Sequence, residues 1–137
     1  PVMLINSVQA PTNNVKLRQA MQAAVDMKEV MTAATDGNFK LNHSFVYPNN
    51  PYFNDAGKPH YNVNDTKKAK QLLAEAGLPN GAEFDLHAYR EREFTEAVIG
   101  DLNKVGLRPK LTFLQLAALN DLAFVHHNNF VGIGNSR

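Results

Sequence analysis

The sequence predicts an α/β domain in which a largely parallel or mixed sheet is flanked by helices. Three observations carry that prediction. Apolar residues recur at helical spacing in several segments that bring their own start and stop signals. Short runs in which apolar and polar residues alternate lie between them, as half-buried strands do. Through the second half of the chain the two kinds of segment follow one another in turn, which is the order of an α/β layer structure.

Taken in order, Val2-Met3-Leu4-Ile5 is an apolar run suited to a buried strand, ended by Asn6 and Ser7. Residues 9–14 read as a loop around Pro11. Asn13 or Asn14 is placed to cap a helix over 15–25, where Leu17, Ala20, Met21, Ala24 and Val25 share one face. Asp26-Met27-Lys28-Glu29 is a capping-box pattern, so a second helix starts there, uses Val30, Met31 and Ala34, and stops at Gly37. Asp26 is thus read as a cap rather than a catalytic group. Residues 38–64 lose all periodicity and are rich in proline and asparagine. The rings of Phe39, Phe45, Tyr47, Tyr52, Phe53 and Tyr61 are read as anchors that pack this loop onto the domain, because aromatics carry most of the burial a loop can make.

The next segment is the most complete helix in the chain. Asp65 is its N-cap, Ala69, Leu72, Leu73 and Ala76 form its apolar face, and Gly77 takes the left-handed conformation that closes it. Leu78-Pro79-Asn80-Gly81 has proline and glycine where a type I turn wants them. Residues 83–89 alternate, with Phe84, Leu86 and Ala88 on one side, and form a strand. Arg90-Glu91-Arg92 is a charged connection to a helix over 93–105, whose stripe is Phe94, Ala97, Val98, Leu102 and Val105 and whose stop is Gly106. Leu107, Pro109, Leu111 and Phe113 alternate in the following strand, where Pro109 argues for an edge or a strand start. Residues 115–124 are expected to be helical and 130–133 to form a last short strand.

The bulk numbers exclude several function classes. The chain has 137 residues, 44% of them hydrophobic and 20% charged, enough for one domain with a proper core. Its formal charge is +1, and no Lys/Arg cluster is dense enough to propose a nucleic-acid face. With no cysteine there are no disulfides, no thiol chemistry and no zinc finger. No apolar run approaches the roughly 20 residues that a membrane span needs. Pro1 to Ile5 has no basic region before it, and the chain is expected to be a piece of a larger protein.

Enzyme readings find no support in the motifs. The histidines are His43, His60, His87, His126 and His127, and no HExxH or similar ligand spacing contains them. Adjacent His126 and His127 cannot put both rings on one side of an element. There is no Gly-x-Ser-x-Gly elbow, and Gly132-Ile133-Gly134 has no helix after it that would make a dinucleotide site. No cofactor and no metal are therefore expected. In open α/β sheets ligands lie beyond the carboxyl ends of strands. Two loops qualify: Tyr89-Arg90-Glu91-Arg92 after one strand and Gly134-Asn135-Ser136-Arg137 after the last. The plain alternative for the first is an exposed turn in which Arg92 pairs with Glu96 one helical turn on. Arg18 is expected to pair with a carboxylate or a helix end.

Three stretches together resemble one family. Residues Val15-Lys16-Leu17-Arg18-Gln19-Ala20-Met21-Gln22-Ala23-Ala24-Val25-Asp26 are similar to the "VRQAlayAiD" segment of the family 5 extracellular solute-binding proteins, the dipeptide-, oligopeptide- and nickel-binding receptors of ABC importers. The stretch from Asn64-Asp65 through Ala69-Lys70-Gln71-Leu72-Leu73-Ala74-Glu75-Ala76-Gly77 to Gly81 resembles "yDpeKAKqLLaEAGypdG", with Thr66 in place of the usual proline. Asp101-Leu102-Asn103-Lys104-Val105-Gly106-Leu107 resembles "qLakiGIkv". The likeness covers residues 2–114 well and weakens from 115 to 137. It implies one lobe, 1–137, of a bilobal periplasmic binding protein of type II-like fold, namely most of its C-terminal ligand-binding lobe. It also implies a non-enzymatic substrate-binding component that captures peptides or similar small solutes, in the periplasm or lipid-anchored outside the cell. Its partners would be the solute, the missing N-terminal lobe and the ABC permease subunits, with no nucleic acid. The same resemblance implies a carboxylate-binding arginine after the strand at 83–89, either Arg90 or Arg92, beside Tyr89. Ligand-binding residues are implied near Gly134 and Asn135 as well. Two alternatives stand beside this reading: a solute-sensing domain of a transcription regulator, and a hydrolase lobe completed by residues elsewhere.

Overall fold

The computed structural model describes residues 3–114. Its elements are α1 (Val15–Ala24), α2 (Met27–Thr35), a short 3-10 turn (Lys58–His60), α3 (Thr66–Glu75), β1 (Ala82–Ala88), α4 (Arg92–Lys104) and β2 (Leu107–Phe113). β1 and β2 pair in parallel, with Ala82 opposite Leu107 and Ala88 opposite Phe113. The helix and strand expected over 115–124 and 130–133 lie outside the described residues.

Local chemistry sets each helix end. The Asn14 side chain accepts from the N–H groups of Lys16 and Leu17 at the start of α1, and Asp65 accepts from Lys68 N–H at the start of α3. Gly77 is left-handed at φ 76°, and Gly81 N–H closes the turn on Leu78 C=O at 2.9 Å. The two glycines before the strands meet back to back. A Cβ on Gly81 would overlap the Gly106 carbonyl oxygen, so the strand starts approach this closely only without a side chain there.

The helices then pack in pairs. α1 and α3 run antiparallel and are clipped at both ends. Asn14 Nδ2 donates to Ala76 C=O at 3.2 Å, and Asp65 N–H donates to Ala23 C=O at 2.8 Å. Between these clips Leu17, Ala20, Ala24, Ala69 and Leu73 are buried in one core. The small alanines let the helices approach, and each fully buried leucine contributes roughly 2 kcal/mol. α4 lies against α2 and β2 and adds Val98, Leu102 and Val105 to the same core as Leu107. The outer face of the sheet is polar. There Glu83 Oε2 lies 3.0 Å from Lys110 Nζ, and Glu83 Oε1 lies 3.5 Å from Arg108 Nε.

Four expectations need correction. Residues 3–5 form no strand: Met3 and Ile5 are half-buried against the core and Leu4 is 92% exposed, so the alternation is present, but no strand among the described residues pairs with it. The capping box at Asp26 is only half made. Its side chain accepts from Lys28 and Glu29 N–H, whereas its own N–H goes not to Glu29 but to Asp101 Oδ2, 2.8 Å away on α4. Among the described residues Arg18 pairs with neither a carboxylate nor a helix C-terminus; its Nη1 donates to the carbonyls of Thr12 and Asn13, just before α1, at 2.8 and 3.0 Å. Three loop aromatics do not anchor, since Phe45 is 96%, Tyr47 76% and Tyr52 82% exposed, while Phe39, Phe53 and Tyr61 are half-buried. The loop is held instead by its own polar groups. Asn42 Nδ2 donates to Ser44 and Val46 C=O, and His43 Nε2 sits 2.7 Å from an Asp55 carboxylate oxygen.

Two outcomes follow from this packing. Replacing buried Asp101 by alanine strands the Asp26 N–H and frees Lys104, so Asp101→Ala should lose about 2 kcal/mol in urea unfolding. Asp101→Asn, which keeps an acceptor, should lose about half as much. The second concerns acid. Hydrogen bonds and charge from Lys110, with Arg108 weaker, hold Glu83 below the ordinary 4.5, and the Lys16 ammonium does the same for Glu75 with help from Gln71. A depressed carboxylate contributes its full stability above its unfolded value and loses it as pH falls through the folded one. Thermal midpoints should therefore drop as the pH goes below 4.5, and Lys110→Ala should show a shallower drop. Parallel curves for the two proteins would contradict the Glu83–Lys110 assignment.

Candidate functional site

Because β1 and β2 are parallel and in register, their carboxyl ends open on the same side of the domain. Ala88 C=O accepts from Leu114 N–H at 2.7 Å, which ties the two ends together. Tyr89 and Arg90 follow β1 directly. Glu91 then takes a left-handed conformation, φ 56° and ψ 59°, and starts α4 without a side-chain cap. That strained residue is held by Thr95, which is buried and donates both its N–H and its hydroxyl to Glu91 C=O at 3.0 Å. The turn carrying Tyr89 and Arg90 is thereby pinned to the first turn of a well-packed helix.

The two rival arginines have different surroundings. Arg92 Nη1 bonds Glu96 Oε1 at 3.2 Å, and its guanidinium carbon lies 4.2 Å from the centre of the Phe113 ring at the end of β2. An arginine stacked on an aromatic face and paired at i, i+4 is committed to its own domain. Arg90 has no hydrogen-bond or ion-pair partner among the described residues; its guanidinium lies 5.8 Å from the Tyr89 ring, which is 65% exposed. Among the described residues the end of β1 thus presents an unpaired cation beside a flat ring, an arrangement able to grip a carboxylate through a two-pronged hydrogen bond. Gly134 and Asn135 lie outside the described residues. Local sequence pattern does not mark Phe113 as a neighbour of this turn. Its signal was positional, since it is the last residue of the strand beside β1.

Two hollows lie elsewhere. A groove of about 570 Å³ runs between α1, α4 and residues 60–62, lined by Met3, Met21, Val25, Met27, Tyr61 and Phe94 among others. Burial there raises the Tyr61 hydroxyl above its ordinary 10.0, partly offset by a backbone hydrogen bond from Asn42. A smaller hollow of about 160 Å³ lies between the end of α2 and Glu91, Glu93 and Phe94. Neither is lined by Tyr89 or Arg90. Among the described residues no group of three His, Asp or Glu side chains is placed to hold a metal ion.

Comparison with known proteins agrees with the fold. The family model described as "Bacterial extracellular solute-binding proteins, family 5 Middle" matches residues 2–130. The Heme-binding protein A of Haemophilus influenzae is 34% identical over 111 residues, which are 75% of this chain and 20% of that protein. The solved structure of the Clavulanic acid biosynthesis oligopeptide binding protein 2 superposes with a TM-score of 0.75 at 25% identity, over 90% of this chain and 24% of that one. The ABC transporter-associated periplasmic binding protein DppA of Helicobacter pylori, solved with the peptide STSA, gives a TM-score of 0.74 at 25% identity, over 84% and 22%. The chain spans about a fifth of the length of the curated relatives it matches. Its helices and parallel strands have the type II fold of periplasmic binding proteins, and the chain belongs to the family 5 bacterial extracellular solute-binding proteins.

Proposed function

We propose that this chain is one lobe of the substrate-binding component of an ABC importer, working in the periplasm or anchored outside the cell. It would supply one wall of the cleft that closes on the solute. The lobe spans 1–137 and corresponds to most of the C-terminal ligand-binding lobe. The opposite wall comes from an N-terminal lobe, and the closed form docks on the permease by the hinge logic common to such receptors. The family and its structural neighbours are binding proteins, so the work done is capture and release rather than a reaction.

The observation that carries the site is the contrast at the end of β1, where Arg90 is open and Arg92 is stacked and paired. Arg90 is the carboxylate clamp, Tyr89 the flat wall beside it, and Arg92 holds the end of β2 through Phe113. Gly134 and Asn135 are the further candidate ligand-binding residues. The solute is a peptide or a similar small molecule bearing a carboxylate. Support comes from a structural neighbour solved with the peptide STSA and a relative named as a heme-binding protein, since a peptide terminus and haem both offer carboxylates to an arginine.

In the whole receptor, calorimetry with short peptides tests this. Arg90→Ala should weaken binding about thirtyfold, or roughly 2 kcal/mol, the usual cost of removing one partner of a desolvated charge pair. Replacing the peptide's terminal carboxylate by an amide should cost about as much, and the variant should not distinguish the two peptides. Arg92→Ala should change affinity less than threefold or so while lowering stability. Equal affinity of the wild type and Arg90→Ala for the free acid would reject the clamp.

A further inference from the structure

Four residues other than glycine have positive φ among the described residues: Asp36, Asn62, Asn64 and Glu91. Asparagine and aspartate tolerate the left-handed conformation because their short side chains bond locally, whereas glutamate has no such help. The Glu91 side chain makes no cap for α4 either. Glu91 therefore holds an unfavourable conformation that its own side chain does not stabilise, in the turn that carries Tyr89 and Arg90.

What holds it lies one helical turn on. Ala88, before the turn, is tied to the end of β2 by the Leu114 N–H at 2.7 Å. Arg92, after it, is stacked on Phe113 and paired with Glu96. Between these ties Tyr89, Arg90 and Glu91 are exposed. Among the described residues the backbone of that span is held at one atom, the Glu91 carbonyl oxygen, which accepts from the N–H and the hydroxyl of Thr95 at 3.0 Å each. The hollow of about 160 Å³ beside Glu91 leaves that flank of the turn without a packed neighbour. A buried threonine in a helix commonly satisfies its hydroxyl on the carbonyl four residues back, and Thr95, 8% exposed, does so. Here that carbonyl belongs to the left-handed residue, so the bond that satisfies Thr95 also fixes the direction of the chain at Arg90.

We propose that Thr95 is a positioning residue for Arg90, acting through the Glu91 carbonyl to keep the turn in the one conformation that presents the guanidinium beside Tyr89. This role rests on the solute-binding reading above, in which Arg90 grips a carboxylate. Thr95 is buried and needs no contact with the solute. An arginine side chain is flexible, and a clamp on a fixed base loses less freedom when it binds. A loosened turn spreads Arg90 over several positions and weakens the carboxylate contact alone.

Thr95→Val keeps the shape of the side chain and removes the hydroxyl. In the isotope-labelled 137-residue chain without solute, the backbone couplings of residue 91 should lose the signature of positive φ, while the Leu17 and Leu73 amides stay protected from exchange. In the whole receptor, calorimetry should show Thr95→Val losing about tenfold in affinity for a free-acid peptide and less than about twofold for its amide. Thr95→Ser, which keeps the hydroxyl, should preserve the preference for the acid. Adding Glu91→Gly to Thr95→Val should restore that preference to within about threefold, since glycine takes positive φ freely. Glu91→Val tests the turn from an exposed position, which spares the fold. A β-branched residue resists positive φ, so the preference should fall as it does in Thr95→Val. An unchanged preference in either valine variant, equal losses for acid and amide, or positive φ retained in Thr95→Val would overturn the proposal. The clamp is judged on a different measurement: a wild-type preference in Arg90→Ala would reject it, whereas the couplings of residue 91 still decide whether Thr95 sets the turn.

Discussion

One buried carboxylate holds the two halves of this domain in place. Asp101, on α4, is 3% exposed and splits its oxygens between two partners: Oδ2 takes the N–H of Asp26 at 2.8 Å and Oδ1 takes the ammonium of Lys104 at 2.6 Å. A carboxylate in such a place is costly unless it is paired and hydrogen-bonded, and the arrangement works because each oxygen has a donor. The hydrogen bond and charge of Asp101, with a smaller contribution from Glu29, lift the Lys104 ammonium above its ordinary 10.5. On the other side of the junction Asn64 Nδ2 donates to Asp26 Oδ2 at 2.7 Å, and Asn62 Oδ1 accepts from Met27 N–H at 2.6 Å. Both asparagines sit at positive φ, a conformation that short polar side chains tolerate when they are so engaged. The break between α1 and α2, the end of the long loop and the last turn of α4 thus meet at one polar knot.

That knot bears on the proposed site through distance. It fixes the C-terminal end of α4, and the helix is stiff, so its N-terminal end and the Tyr89–Arg90 turn take their position from it. At that far end Thr95 holds Glu91, and Arg92 spans to Phe113 on β2. The arginine next to the open one is therefore a strut, and the contrast between the two is a matter of neighbours rather than of residue type.

Much of this could be read from the sequence because it is local. Helix starts at Asn13 or Asn14, at Asp26 and at Asp65, stops at Gly37, Gly77 and Gly106, and both strands follow from periodicity and cap chemistry, which act within a few residues. Asp101 could not be read this way. On its own helix it stands beside Leu102 and Val105 as a polar interruption of an apolar stripe, and its partner lies 75 residues earlier. The loop aromatics misled for the opposite reason. Burial is the usual fate of rings in a polar loop, but asparagine side chains hold this one, so Phe45, Tyr47 and Tyr52 need not turn inward. Residues 3–5 show strand alternation without a strand, because pairing is a property of two segments and pattern a property of one. At the candidate site the position of the turn was legible from the sheet rule. The different surroundings of Arg90 and Arg92 were not, because they depend on Phe113 from another strand.

We propose that this domain meets its solute at the end of β1 and that one wall of a cleft holds it only weakly. Titrating the isotope-labelled 137-residue chain with a mixture of di- and tripeptides, and following amide shifts by NMR, addresses both parts at once. Fast-exchange shifts at millimolar peptide are expected, confined to Tyr89, Arg90, Glu91 and their immediate neighbours. Shifts centred on the groove around Met21, Val25 and Phe94, or saturation at micromolar peptide, would contradict it.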